Sequence, residues 1–364
     1  MTRTFNSIGH GGFCTEEFKG FTMVYDCGGK NTNIVNREIA HSLTEKQPID
    51  ALFISHFHRD HINGLPYLLN NHPVKRVFLP FLLPDQKIQL LIENERTGNA
   101  DPFVSDLISD YRVTIQTYSQ IGEETQVIAV LANNENNNES DREPVRIESV
   151  NRDISSGQNI GISTSGGTID WVYIPFNFMY NKYAPTLADE LNKIGIDISN
   201  IHNKLKTDKN KIVTIYEKIM DGSTNFNSNS LVLYSGLITS PSESAFITYF
   251  SHFPNYHFGF GDDRICCLYS GDYNASGATE WHKLETAYKK YWDHIGTIQI
   301  PHHGSSYNYN RGFNSSDGIY SIMHVNKNSR HPHATTVKSI IMGNGFPVIV
   351  TQDPVTRFIE RINY

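Results

Sequence analysis

Short apolar runs bounded by turn residues recur along the 364-residue chain and alternate with stretches of helical spacing. Phe21–Asp26 (FTMVYD) reads as a buried strand ending at Cys27-Gly28-Gly29, where glycine permits a sharp turn. An earlier strand is expected around Thr4–Ile8. Ala51–Ser55 (ALFIS) is apolar throughout and runs directly into His56; Leu65–Leu69 then opens a helix and Val74–Leu79 supplies the next strand. Strand, polar loop, helix, strand is the order of a layered α/β domain, in which ligands collect at strand ends.

From about Asp85 to Asn225 the apolar strand signal weakens. Asp85–Thr97 and Asp189–Met220 have helical spacing, and the polar run NNENNNE at 133–139 favours a solvated loop. The span 85–225 is therefore expected to be a helical or lid-like insertion within one domain covering 1–364. Its lysines at Lys204–Lys211 fit a solvated face. Downstream, Ser230–Tyr234, Ile265–Tyr269 and Thr297–Ile300 read as short strands, the last two running into Gly271-Asp272 and His302-His303. Glu280–Trp292 has helical spacing, and Val348–Thr351 and Arg357–Ile362 complete the chain as strands.

Composition narrows the classes. At 38% hydrophobic residues a large core is available, which excludes global disorder. Thirty-one basic against 38 acidic side chains give a net charge of −7, so no broad cationic field exists to hold duplex DNA. No apolar run of about 18 residues occurs, and Met1–Asn6 lacks the pattern of a signal peptide, which predicts a soluble cytoplasmic protein without a membrane partner. Cys14, Cys27, Cys266 and Cys267 lack redox or disulfide-scaffold spacing and are expected to be buried thiols. Nothing in the sequence specifies an oligomeric state. The 16 histidines matter through their grouping beside aspartates and glycines.

His56-Phe57-His58-Arg59-Asp60-His61 places four metal-competent side chains in six residues, between a buried strand and a helix. Imidazole suits zinc, iron or manganese, and the carboxylate adds a harder ligand and a base, so such a cluster can serve neighbouring ions. Packing alone does not account for that density.

The H-x-H-x-D-H run, with Asp26-Cys27-Gly28 upstream, resembles the signature of the metallo-β-lactamase superfamily; Tyr269-Ser270-Gly271-Asp272 and Pro301-His302-His303-Gly304-Ser305 resemble its later elements. The resemblance implies an α/β, four-layer αββα sandwich carrying the helical insertion, with one or two divalent ions, zinc or manganese. It further implies that His56 and His58 hold one ion and Asp60, His61 and His302 the other, with Asp272 bridging. Asp60 could also orient or deprotonate the attacking water, because a carboxylate has two oxygens. Within the superfamily the chain is most similar to the soluble hydrolase domain of competence DNA-uptake channel proteins, through Gly9-His10-Gly11, Asn227-Ser228-Asn229-Ser230-Leu231-Val232, Gly271-Asp272, His302–Ser305 and His331-Pro332. The channel's membrane-spanning part has no counterpart here.

One departure stands out. The superfamily has a further histidine where this chain offers Asn227, Asn229 and Ser230, so the first ion is short of a ligand unless His252 or His257 substitutes. On an extended segment adjacent side chains point opposite ways, so only one of His302 and His303 is expected to face the metals; the family pattern selects His302. His303, Ser305, Asp26 and Asn229 are then candidates for substrate contact or second-layer support. His331 could donate to a leaving oxygen, with His333 beside it, the alternative being plain surface residues. His10 in IGHGG is either part of the site or a turn residue; competence-type domains carry glutamine there. STSGGT at Ser163–Thr168 lacks the lysine of a phosphate loop.

These expectations lead to a metal-dependent phosphodiesterase acting on single-stranded nucleic acid or a nucleotide signal. The alternatives are a metallo-peptidase or other amide or ester hydrolase in a bacterial defence system, and a metal-stabilised binding module that engages a protein partner through the insertion.

Overall fold

Two stacked β-sheets carry helices on their outer sides in the computed structural model, which describes residues 1–96, 100–132, 143–164, 167–178, 184–196, 201–220, 230–239, 246–251, 258–260 and 264–364. The first sheet contains β1 (Thr2–Phe5), β2 (Gly11–Phe18), β3 (Phe21–Gly29), β4 (Ala51–Phe53), β5 (Arg76–Pro80), β6 (Gln126–Leu131), β8 (Ile154–Ser155), β12 (Phe246–Ser251), β13 (Phe258–Phe260) and β18 (Phe358–Asn363). The second contains β7 (Val145–Arg146), β9 (Ile160–Ile162), β10 (Trp171–Asn177), β11 (Leu231–Leu237), β14 (Cys266–Tyr269), β15 (Ile295–Gln299), β16 (Tyr320–His324) and β17 (Phe346–Val350). Each sheet has a parallel block: β3, β4, β5, β6 and β8 in the first, β14 to β17 in the second. Parallel strands send their following loops to one edge, which is where an α/β fold builds a site.

Side-chain alternation separates two cores. Met23, Tyr25, Phe53, Phe78 and Ile128 point between the sheets, against Trp171, Tyr173, Leu233 and Tyr269. Their neighbours Val24, Leu52, Ile54, Val77 and Val127 point outward, beneath helices. Those helices are α1 (Thr32–Ser42), α2 (Arg59–Ile62), α3 (Leu65–Asn71), α4 (Pro84–Arg96), α5 (Pro102–Ser109), α6 (Tyr111–Tyr118), α7 (Ala184–Lys193) and α8 (Ile201–Met220). On the second sheet, α9 (Ala278–Tyr288) and α10 (Ala334–Met342) pack through Leu284, Ala287, Tyr288 and Ile340. Each fully buried large side chain contributes about 1.5–3 kcal/mol.

A charged cluster sits within the sandwich. Arg3, fully buried, donates to Glu16 at 2.7 Å and Glu360 at 2.5 Å. Glu16 also accepts from Tyr173, Ser235 and Tyr269 at 3.0, 2.7 and 2.9 Å, so strands of both sheets share one network. The four cysteines are buried and free.

The span 85–225 is organised differently from a single helical insertion. β6 and β8 extend the first sheet, and β7, β9 and β10 lie in the second. QVIAVL in β6 has four buried central residues and every residue of β10 is buried, and both strands are paired on each side within their sheets. The helices fall in two groups, α4–α6 and α7–α8, joined where α4 packs on α7 and α8. The Asn-rich segment 133–139 lies outside the described residues.

Candidate metal centre

The ligand-bearing loops leave the carboxyl ends of β4, β14 and β15. β4 ends at Phe53, and Ser55 and His56 follow before His58, which stands in extended backbone at the N-cap position of α2, the helix that carries Asp60 and His61. Opposite, Gly271 turns the chain after β14 with φ of +53°. A Cβ there would lie 2.7 Å from the Ser55 side chain, so glycine lets the loops of the two sheets approach. Ser230 Oγ accepts from the Asp272 amide at 3.1 Å, and Leu231 N donates to Ser55 O at 2.7 Å.

Asp26 organises the near side. It accepts from the Ser55 amide and hydroxyl, both at 2.7 Å, and lies 2.7 Å from His61 Nδ1. A proton held on Nδ1 by Asp26 turns Nε2 toward Asp272 Oδ1, 3.3 Å away. Ser55 Oγ also reaches His56 Nδ1 at 2.9 Å, and His56 Nε2 lies 3.7 Å from Asp272 Oδ2. His58 packs edge-on to His56 with ring centroids 4.7 Å apart.

His302 and His303 occupy left-handed backbone, with φ of 48° and 57°. This conformation costs energy for a non-glycine residue and is held here by its surroundings. Because the segment is not extended, both rings approach the centre: His302 Nε2 is 3.9 Å and His303 Nε2 3.8 Å from Asp272. His303 Nε2 is also 3.5 Å from Asp60 Oδ2. Asn308 steadies His302, its Oδ1 2.9 Å from Nδ1, while its amide donates to Asp272 O at 3.2 Å.

Nε2 of His56, His58, His61 and His303, and Oδ1 of Asp272, are buried without a hydrogen-bond partner. Polar atoms in such a position cost free energy unless another group satisfies them. Burial foremost holds His56 and His58 below the usual histidine range. For Asp272 burial works upward, but His302, His61 and His303 outweigh it and hold the carboxyl well below its ordinary value. His61 is opposed by burial and still raised, by Asp272 and Asp26 at its two ring nitrogens. The neutral His56 and His58 rings beside the ionised Asp272 carboxylate are donors that suit a divalent cation, and an ion bound there would displace the proton that Asp272 and Asp26 favour on His61. Among the described residues two groups have mutually close ligand atoms, within 4.8 Å: His56, His61 and Asp272, and His10, Asp60 and His303. This grouping pairs His61 with His56 and Asp60 with His303, whereas the sequence resemblance implied Asp60, His61 and His302 together; the Asp26 bond that turns His61 toward Asp272 is the reason.

The remaining candidates lie around this rim. His331 is half-buried, its ring 5.6 Å from His302 and 5.8 Å from His10. His333 is exposed and accepts from Thr335 N as the cap of α10. Ser305 Oγ accepts from Tyr307 N at 3.2 Å and serves the turn. Asn229, His252 and His257 lie outside the described residues. Ser55 and Asn308 support the ligands without any sequence signal of their own, being an ordinary serine and asparagine in loops.

A family model described as the metallo-beta-lactamase superfamily matches residues 17–78, the stretch that contains Asp26 and the HFHRDH cluster. No curated protein matches the sequence. Among solved structures, the human tRNase Z, short form, is similar at 12% identity with a TM-score of 0.37, over 82% of this chain and 77% of that one. No helix among the described residues is long and apolar enough to cross a membrane. The family match, with the histidine–aspartate groups, supports a metal-dependent hydrolase. Two stacked sheets with outer helices, parallel-strand ends bearing the ligands, and the match over residues 17–78 identify the architecture as the metallo-beta-lactamase fold.

Proposed function

We propose that the protein is a metal-dependent phosphodiesterase acting on single-stranded nucleic acid or a nucleotide signal. The observation that carries the metal is the convergence of the unsatisfied His56, His61 and His303 nitrogens on the Asp272 carboxylate, with the equally unsatisfied His58 Nε2 on the ring packed against His56. Divalent ions held there polarise a phosphoryl oxygen and bring water's pKa toward neutrality. His56, His58, His61 and Asp272 would hold one ion; Asp60, His302 and His303 border the place of a second. Asp60, partly exposed, has a carboxyl that burial pushes up but His303 and His61 hold below its ordinary range, so it stays ionised and can orient a substrate-side water by accepting its hydrogen bond. Burial first, then His302, lowers His331 to about 4, so it is neutral near pH 7 and can donate an N–H hydrogen bond toward a leaving oxygen.

The substrate class draws on a groove of about 600 Å³ in which Arg311 and Lys338 stand with Ser315, Thr335, Ser339 and Met342. It begins at α10, which the His333 amide joins to the His302–Gly304 turn by donating to Gly304 O at 3.0 Å. Neither Arg311 nor Lys338 forms an ion pair among the described residues, and in a chain of net charge −7 such a cationic strip favours an anionic ligand. The similarity of the HHGS and HP elements to competence-type domains points the same way.

Asp272→Ala tests the reading. With the fold retained by circular dichroism, turnover of bis-p-nitrophenyl phosphate, single-stranded DNA or a cyclic dinucleotide should fall by several orders of magnitude. Cleavage of peptides or lactones, with every phosphodiester untouched across zinc and manganese, would replace it with another hydrolysis. Bound metal without any cleavage, together with a protein captured through residues 85–225, would favour the binding module.

A further inference from the structure

His10 lies in a segment whose backbone is fixed on both sides. Its amide donates to Asn326 Oδ1 at 2.9 Å, and its carbonyl accepts from Lys30 N at 3.0 Å. Gly9 and Gly11 flank it with φ of +77° and +147°. A Cβ on Gly9 would meet Asn326 Oδ1 at 2.3 Å, and one on Gly11 would meet Gly28 O at 2.3 Å and the Asp60 carbonyl at 2.5 Å. The two glycines thus allow the loop before β2 to press against α2, and the residue between them is delivered to the metal rim.

The imidazole arrives beside two ligand-competent groups. Its ring centroid is 3.7 Å from that of His303, and its Nε2 is 4.0 Å from Asp60 Oδ2. His303 Nε2, itself 3.5 Å from the same carboxylate oxygen, is buried and lacks a hydrogen-bond partner. His10 is 7% exposed. Two buried imidazoles converging on one carboxylate, with an unsatisfied nitrogen among them, form a three-ligand set like that of a catalytic zinc or manganese site.

We propose that His10 is a metal ligand, completing with Asp60 and His303 the shell of a second ion beside the one that His56, His58, His61 and Asp272 would hold. This rests on the metal-centre reading and extends it. The second ion would then take two imidazoles, that of His303 and one from the amino-terminal GHGG turn, a contribution separate from the first-ion histidine for which the motif offers Asn227, Asn229 and Ser230.

The test is metal binding, not turnover. Purified wild type, His10→Phe and His10→Ala would be stripped with chelator, reloaded with zinc or cobalt(II), and followed by elemental analysis, cobalt absorption and X-ray absorption counting of imidazoles. Wild type should hold two ions; both variants should hold one tightly and bind the second at least about 100-fold more weakly, beyond the 10–100-fold typical of an outer support. Phenylalanine keeps a ring against His303 but offers no lone pair. Two tight ions with an unchanged imidazole count in His10→Phe would overturn the ligand role and leave His10 a packing residue. A wild type that binds no metal would overturn the metal-centre reading itself.

Discussion

At the scale of residues, the centre divides into groups that announce themselves and groups that do not. His56, His58, Asp60 and His61 are legible because four ligand types within six positions have no packing explanation. Asp26 was visible as part of the Asp26-Cys27-Gly28 turn and as a candidate for substrate contact or support, and three contacts at 2.7 Å make it the anchor of Ser55 and His61. Replacing it should leave the ligand list intact and loosen its geometry. Asp26→Ala is expected to weaken metal binding about 10–100-fold, measured by competition with a chromophoric chelator; unchanged affinity would mean that Ser55 and packing suffice. The shared approach of His302 and His303 escaped the sequence because it depends on left-handed backbone, and alternation arguments hold only for extended chain.

Among elements, strands buried on both faces were the easiest to see. ALFIS and FTMVYD are continuous apolar runs in the middle of a sheet, and β4 and β3 appear where they predict. β2 is harder: GGFCTEEF reads as a turn followed by exposed acids, yet Glu16 is fully buried because Arg3 lies 2.7 Å away. A charge compensated by a distant partner cannot be found by local pattern. The same holds for β10, whose apolar residues lie among polar neighbours that suggested an insertion. In the proposed phosphodiesterase reading the element that bears on substrate is α10, which lines the groove holding Arg311 and Lys338. Reversing both charges, Arg311→Glu with Lys338→Glu, should raise KM for a single-stranded oligonucleotide at least tenfold more than KM for bis-p-nitrophenyl phosphate. It should also flatten the salt dependence of oligonucleotide binding by about 1.4 in log–log slope, roughly 0.7 for each lost phosphate contact. Equal effects on both substrates would place the oligonucleotide elsewhere.

For the whole molecule, the site and the interior network depend on the same stacking of sheets. Ligands from the β4 loop and from the β14 and β15 loops meet only when the sheets are aligned, so metal should bind the folded chain selectively and stabilise it. Removal of metal is expected to lower the thermal midpoint, and restoring an ion at 100 times its Kd should return about 2.7 kcal/mol; a midpoint indifferent to metal would disconnect the centre from the fold. Arg3→Met leaves Glu16 and Glu360 buried without their cation, and should destabilise the chain by about 3–5 kcal/mol in denaturant titration. A change below about 1 kcal/mol would show that the tyrosine and serine donors to Glu16 carry the network without the guanidinium.

The pairing of β1 with β18 has a consequence for synthesis. Arg3 and Glu360 are separated by 357 positions, and Met1 exchanges backbone hydrogen bonds with Ile362. A ribosome adding about 5–20 residues per second makes the first of these strands roughly 20–70 s before the last. Throughout that interval the guanidinium lacks its second carboxylate and β1 lacks its β18 partner, so an open edge is available for misassociation until β18 has been made.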